Sequence, residues 1–165
     1  FRMSRPKRRG RNVKNLISVS KVNNDININT NRTGQFKSPT LPSFGLINAR
    51  SLLPKVDELA VLMDNSGTDI VAITESWLHK DIDDNLLSIS GYNFHRNDRT
   101  FSRGGGVCVY CSQNIPCQRR FELENPNFEC IWLWVRSTRL PRPLSAIAVC
   151  VVYKPPAELL KNWLT

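Results

Sequence analysis

The sequence predicts an α/β fold of the mixed α+β kind, beginning at Ser43. Three observations point to it. A helical apolar stripe lies between two short apolar runs, "SFGLINA" and "TDIVAIT", which makes a β-α-β unit. Four further stretches of strand character follow, "GYNFHRND", "GGGVCVYCS", "FECIWLWVR" and "SAIAVCVVY", with no internal repeat. The third observation is a change of composition. Residues 1–42 hold 10 Lys/Arg and one acid, Asp25, whereas residues 43–165 hold 13 Lys/Arg and 13 Asp/Glu. The whole excess charge of +9 therefore belongs to an arm, and the remainder is balanced.

The arm reads "RPKRRGRNVK" and then "NNDININTNRTG", which is Asn-rich with little to bury. Residues 1–42 are expected to be a disordered basic, Asn-rich arm with one stickier stretch near Leu16–Val22, closed by Pro39 and Pro42. Such an arm is either a solvated segment or a phosphate-seeking one, whose non-specific affinity has a Kd of about 10⁻⁴ to 10⁻⁶ M. Phe1 is no initiator, which leaves a missing start or a start at Met3. No apolar run approaches the roughly 20 residues of a membrane helix, and no signal peptide is legible, so no membrane partner is expected. Five cysteines, an odd number, then imply reduced thiols in an intracellular protein, the nucleus included.

Within residues 43–165 each element has its own warrant. "SFGLINA" is expected to be a buried strand ending near Asn48. In "SLLPKVDELAVLMDNSG", Pro54 suits a first helical turn. Val56, Leu59, Leu62 and Met63 make the apolar stripe, and Gly67 ends the helix. "TDIVAIT" is the second strand. A β-α-β crossover is right-handed and leaves its strands parallel, so their C-terminal ends share one sheet edge. Asn48 and Glu75 are thereby delivered together, and in open α/β sheets that edge binds ligands. The plainer alternative is two ordinary loop polars.

Tyr92–Asn97 and Val107–Ser112 are expected to form a hairpin. Gly104-Gly105-Gly106 lacks the Lys-Ser/Thr of a phosphate-binding loop and opens no helix, so it reads as a backbone bend. Cys108 and Cys111 have zinc-knuckle spacing, but on a strand their sulfurs point to opposite faces, which makes them core thiols. In "FECIWLWVR", Cys130, Trp132 and Trp134 occupy one face and Ile131, Leu133 and Val135 the other. Both faces are apolar, so this strand is expected between two layers. "SAIAVCVVY" ends at Tyr153, where Lys154-Pro155-Pro156 stops the ladder, so Tyr153 closes a strand as Asn48 and Glu75 do.

Four motifs now stand in order: "LINARSLLPKVDELAVLM", "DIVAITESWL", "RGGGVCVY" and "VVYKPP". Together they resemble the first half of the endonuclease/exonuclease/phosphatase superfamily over about residues 44–156. Within it they are most similar to the endonuclease of LINE-type non-LTR retrotransposons. A phosphatase or an abasic-site nuclease stays open, but "NARSL", "RGGGVCVY" and "YKPP" favour the retrotransposon branch. The resemblance implies a four-layer α-β-β-α sandwich, of which this chain holds mainly the first half. It implies a Mg²⁺-dependent phosphodiesterase that nicks DNA to prime reverse transcription. By the same resemblance Asn48 orients the phosphate and neighbouring groups, Glu75 binds the metal, and Tyr153 lies near the scissile phosphate. The chemistry is consistent, because Mg²⁺ prefers hard oxygen ligands and often uses only one or two protein carboxylates.

The departures weigh as much as the match. The family's later Asp-x-Asn and Ser-Asp-His motifs have no counterpart after Pro156, where nine residues remain. His79 and His95 stand in other contexts. Loss of general acid–base catalysis costs about 10²- to 10⁴-fold. The second sheet is expected to be missing, leaving apolar surface uncovered. The chain is therefore read as an inactive piece of a nicking enzyme, with weak Mg²⁺ binding and DNA as partner through its arm. The alternatives are a catalytically dead nucleic-acid-binding half-domain and a non-functional transposon remnant.

Overall fold

The computed structural model describes residues 16–17, 41–100, 102–136, 140–141 and 143–154. In chain order the strands are β1 (Leu16–Ile17), β2 (Phe44–Asn48), β3 (Ile70–Thr74), β4 (Tyr92–Asn97), β5 (Val107–Ser112), β6 (Cys117–Arg119), β7 (Glu129–Val135) and β8 (Ile147–Tyr153). The helix α1 (Val56–Ser66) lies between β2 and β3. Apart from β1 and residues 41–42, the arm expected over residues 1–42 lies outside the described residues, as does the chain after Lys154.

Helix α1 forms as its sequence dictates. A short 3₁₀ turn, Leu53–Lys55, leads in with Pro54 near its start, and Asp57 and Glu58 face the helix N-terminus. Val56, Leu59 and Met63 are buried. Gly67 closes the helix in the left-handed conformation, φ 57°, its N–H donating to the Met63 carbonyl at 2.9 Å. Burial of each such side chain is worth about 1.5–3 kcal/mol.

The first sheet has the order β1-β2-β3-β5-β4, with β2 and β3 parallel and the other neighbours antiparallel. Ser43 and Asp69 latch the starts of β2 and β3. The Ser43 N–H and Oγ both donate to Asp69 Oδ2, at 2.7 and 2.8 Å, and the Asp69 N–H donates back to Ser43 Oγ at 2.9 Å. That latch fixes the register, Phe44 opposite Ile70 and Asn48 opposite Thr74. β5, paired on both sides by β3 and β4, is buried along its whole length.

A second sheet, β6-β7-β8, stacks on the first. This corrects the expectation that it would be missing. Its strands all lie between Cys117 and Tyr153, so it forms from residues within this chain. One core, around Leu59, Met63, Ile73, Cys108 and Tyr110, fills the space between α1 and the first sheet. Another, around Ile70, Val107, Val109, Ile131, Leu133 and Val135, lies between the sheets. Three layers of an α-β-β sandwich therefore stand among the described residues, an α+β architecture.

Two burial expectations are revised. β2 is only half covered, with Leu46 43% exposed, because its outer neighbour β1 is two residues long. β7 buries Ile131, Leu133 and Val135, but Trp132 and Trp134 on its other face are only half-buried. Beside them Ala148, Cys150 and Val152 of β8 are exposed. Cys108 and Cys111 do face opposite ways, one into each core. Burial pushes the Cys108 thiol up, which suits a packing role.

Candidate functional site

The C-terminal ends of β2 and β3 stay stitched after their ladder ends. The Ala49 N–H donates to the Thr74 carbonyl at 2.9 Å, that of Ser51 to Glu75 at 3.0 Å, and that of Leu52 to Ser76 at 2.9 Å. Buried Ala49 and Leu52 pin one side. Lys55 Nζ donates to the Ala49 carbonyl and to that of Arg50, the latter at 3.2 Å. Among the described residues, the non-glycine residues at positive φ are Arg50, Ser51, Glu75 and Trp77, at 44°, 80°, 54° and 54°. Each such conformation costs of order 1–3 kcal/mol, and such strain gathers where side chains must be aimed. Here all four lie in the two loops that leave β2 and β3.

Glu75 accepts two hydrogen bonds from neutral donors. Trp77 Nε1 donates to Oε2 at 3.0 Å, and the Tyr153 hydroxyl donates to Oε1. Tyr153 is the last residue of β8, so this bond joins the two sheets. A second carboxylate lies opposite Tyr153 in the ladder, Glu129, the first residue of β7. It is committed differently, accepting from the Arg99 guanidinium at one oxygen and from the Gly106 N–H at the other, the latter at 2.6 Å. The Arg99 guanidinium lies 5.6 Å from the centre of the Tyr153 ring. Asn97 adds a further tie, its Nδ2 donating to the Cys130 carbonyl at 2.9 Å.

The three glycines form the wall of this cluster as well as a bend. All have positive φ. A Cβ on Gly105 would strike the Arg99 guanidinium, and one on Gly106 would lie 2.7 Å from the Ser76 hydroxyl. The Ser76 and Trp77 N–H groups donate to the carbonyls of Gly106 and Gly105, at 3.2 and 3.0 Å, so this turn also fixes the loop that carries Glu75.

Of the residues singled out from sequence, Glu75 and Tyr153 touch. Asn48 is exposed at the same edge, opposite Thr74 and hence one residue from Glu75 in the neighbouring strand. Burial, followed by the hydrogen bond to Glu75, holds the Tyr153 phenol neutral up to about 12, with the Arg99 cation opposing that rise. His79 is exposed beside Asp81, 3.5 Å away. His95 lies within β4, where burial and then the Arg119 cation keep it neutral to lower pH. Neither histidine joins the cluster. Sequence reading missed Trp77, Arg99 and Glu129. Glu129 carried a usable signal, an acid at the end of an apolar run, and Arg99 carried none.

Among the described residues no group of three or more His, Cys, Asp and Glu is set to enclose a metal. The donor set fits something looser. Among the described residues the hydrogen bonds to Glu75 come from neutral donors that a cation can replace, whereas Glu129 is paired with the Arg99 guanidinium. One available carboxylate suits a hydrated Mg²⁺ ion that keeps most of its waters.

No protein-family model matches the chain, and no curated protein does. Solved structures do match. The AP endonuclease LMAP from Leishmania major superposes with a TM-score of 0.51 and 22% identity, over 68% of this chain and 40% of that one. The likeness is one of fold, an α+β sandwich of two stacked sheets. The endonuclease domain of TRAS1, a telomere-specific non-LTR retrotransposon, aligns with a TM-score of 0.47 and 14% identity, over 71% of this chain and 46% of that one. The chain thus spans less than half the length of either neighbour.

Proposed function

We infer that the chain is part of a Mg²⁺-dependent DNA endonuclease of the non-LTR retrotransposon kind, and that these 165 residues alone do not nick DNA. The observation that carries the reading is the Tyr153–Glu75 hydrogen bond between the two sheets, at the edge where Asn48 ends β2. An AP endonuclease as structural neighbour supports phosphodiester cleavage in DNA. The motif set "NARSL", "RGGGVCVY" and "YKPP" supports the retrotransposon branch.

In this reading Glu75 holds the ion through its carboxylate, and Asn48 steadies the phosphate with its amide. The Tyr153 hydroxyl, kept protonated, donates to a phosphate oxygen as charge builds there. When bound, Mg²⁺ supplies Lewis-acid polarisation of the phosphoryl group and stabilises the leaving oxygen. Among the described residues His79 and His95 lie apart from this cluster, so neither serves as general base to an attacking water. Mn²⁺ in place of Mg²⁺ tests the site directly. It should broaden the amide resonances around Glu75 and Tyr153, and Glu75→Gln should abolish the effect. Broadening centred elsewhere overturns the assignment. Supercoiled plasmid with Mg²⁺ should stay closed. Nicked circles that vanish with Glu75→Ala and with chelation would overturn the inactivity.

The chain read as a nucleic-acid-binding half-domain is favoured by one observation, the confinement of its excess charge to residues 1–42.

A further inference from the structure

We propose that Arg99 and Glu129 are positioning residues for the Tyr153 hydroxyl, an ion pair drawn from both sheets that holds the phenol on Glu75. Arg99 follows β4 in the first sheet, and Glu129 opens β7 in the second. Their contact therefore spans the inter-sheet space at the edge where Glu75 and Tyr153 meet. Both are well covered, Arg99 at 5% and Glu129 at 12% side-chain exposure. A surface ion pair adds little, but one so shielded holds its geometry because either partner alone would be an uncompensated charge.

The placement is specific to Tyr153. Glu129 faces it across the β7–β8 ladder, and the Arg99 guanidinium lies over its ring. Glu129 itself is fixed by the Gly106 N–H, and the missing side chain of Gly105 makes room for Arg99. With the cation over its ring and the carboxylate across the ladder, the phenol lies where its hydroxyl donates to Glu75 Oε1. The same arrangement divides the labour of the two carboxylates. Glu129 is spent on the guanidinium and a backbone N–H, so Glu75 is the one free to exchange its neutral partners for a cation.

This inference rests on reading Glu75 and Tyr153 as the reaction centre, but its test needs neither DNA nor metal. The full chain is labelled with fluorotyrosine, and fluorine NMR at neutral pH follows each ring. Tyr153 is assigned by Tyr153→Phe, while Tyr92 and Tyr110 report that the fold holds. The wild type should give one sharp Tyr153 resonance displaced from that of free fluorotyrosine. Arg99→Gln and Glu129→Gln should each move it toward the free value and broaden it as the ring leaves its single orientation, and Arg99→Lys, which keeps the charge without the fork, should do so less. A pair that merely braces the sheets would leave the Tyr153 resonance in place in both variants, and that result overturns the proposal. Should Arg99→Gln lose the fold, seen at Tyr92 and Tyr110, Glu129→Gln, which alters one atom, decides alone. A displaced Tyr153 resonance with no Mn²⁺ response at Glu75 would leave the positioning intact and sink only the functional reading.

Discussion

Tyr153, through its hydrogen bond to Glu75, joins the two sheets at the candidate site. Its phenol is favoured neutral in the fold, because burial and the Glu75 carboxylate raise its ionisation from 10 to about 12. A group raised in this way stabilises the fold fully below its unfolded value and loses that contribution as pH climbs through the folded one. The window is therefore pH 10 to 12. Tyr92 is shifted the same way, by burial and then by Asp69 and Asp64, and burial also raises Tyr110. Urea midpoints measured from pH 9 to pH 12 should fall steeply above pH 10. Tyr153→Phe should make that fall shallower while lowering stability near neutrality. An unchanged slope in the variant would mean that the hydroxyl contributes nothing to the folded state.

At the scale of the element, the Gly104–Gly106 turn shows what a site costs. The Ser76 hydroxyl is buried against it with no hydrogen-bond partner among the described residues. An unsatisfied buried hydroxyl costs about 1–3 kcal/mol, so Ser76→Ala should leave stability unchanged or raise it. Gly106→Ala should destabilise by about 2 kcal/mol or more, from φ 79° and from the 2.7 Å approach to Ser76 Oγ. The same change in a Ser76→Ala background should cost less, because one of the two clashing atoms is gone. Additive effects in that double-mutant cycle, read by denaturant midpoints, would show that the two residues do not meet. β4 and β5 were legible in the sequence to the residue, and β7 and β8 to within one or two residues at an end, because each is an apolar or alternating run cut off by Gly, Pro or polar residues. β6 was not, since Cys117-Gln118-Arg119 is too short to have a period and exists only because β7 offers it an edge. Asn48, Glu75 and Tyr153 stood out as ends of apolar runs. Arg99 lies in a polar loop, and its partner is 30 residues away in the other sheet, which no local pattern encodes.

For the whole molecule the decisive division is of charge. Seven basic residues, Arg2, Arg5, Lys7, Arg8, Arg9, Arg11 and Lys14, precede β1, while residues 43–165 carry no net charge. Each phosphate neutralised by a Lys or Arg adds about 0.9 to the slope of log affinity against log salt on duplex DNA. If the arm supplies the affinity, replacing those seven by Gln should flatten the slope by several units and abolish binding near physiological salt. The substitution is preferable to deleting the arm, because Leu16 and Ile17 pair with Ile47 and Leu46 and so extend the first sheet. Deletion would bare the β2 edge beside Asn48 and confuse a lost contact with a disturbed site. Glu75→Gln serves as the counter-experiment. It removes one negative charge near the candidate phosphate position, so it should leave the salt slope as it is and slightly strengthen binding if DNA reaches the site. An undiminished slope in the seven-fold variant would transfer the affinity to residues 43–165. There Arg50, exposed beside Asn48, would be the first cation to replace.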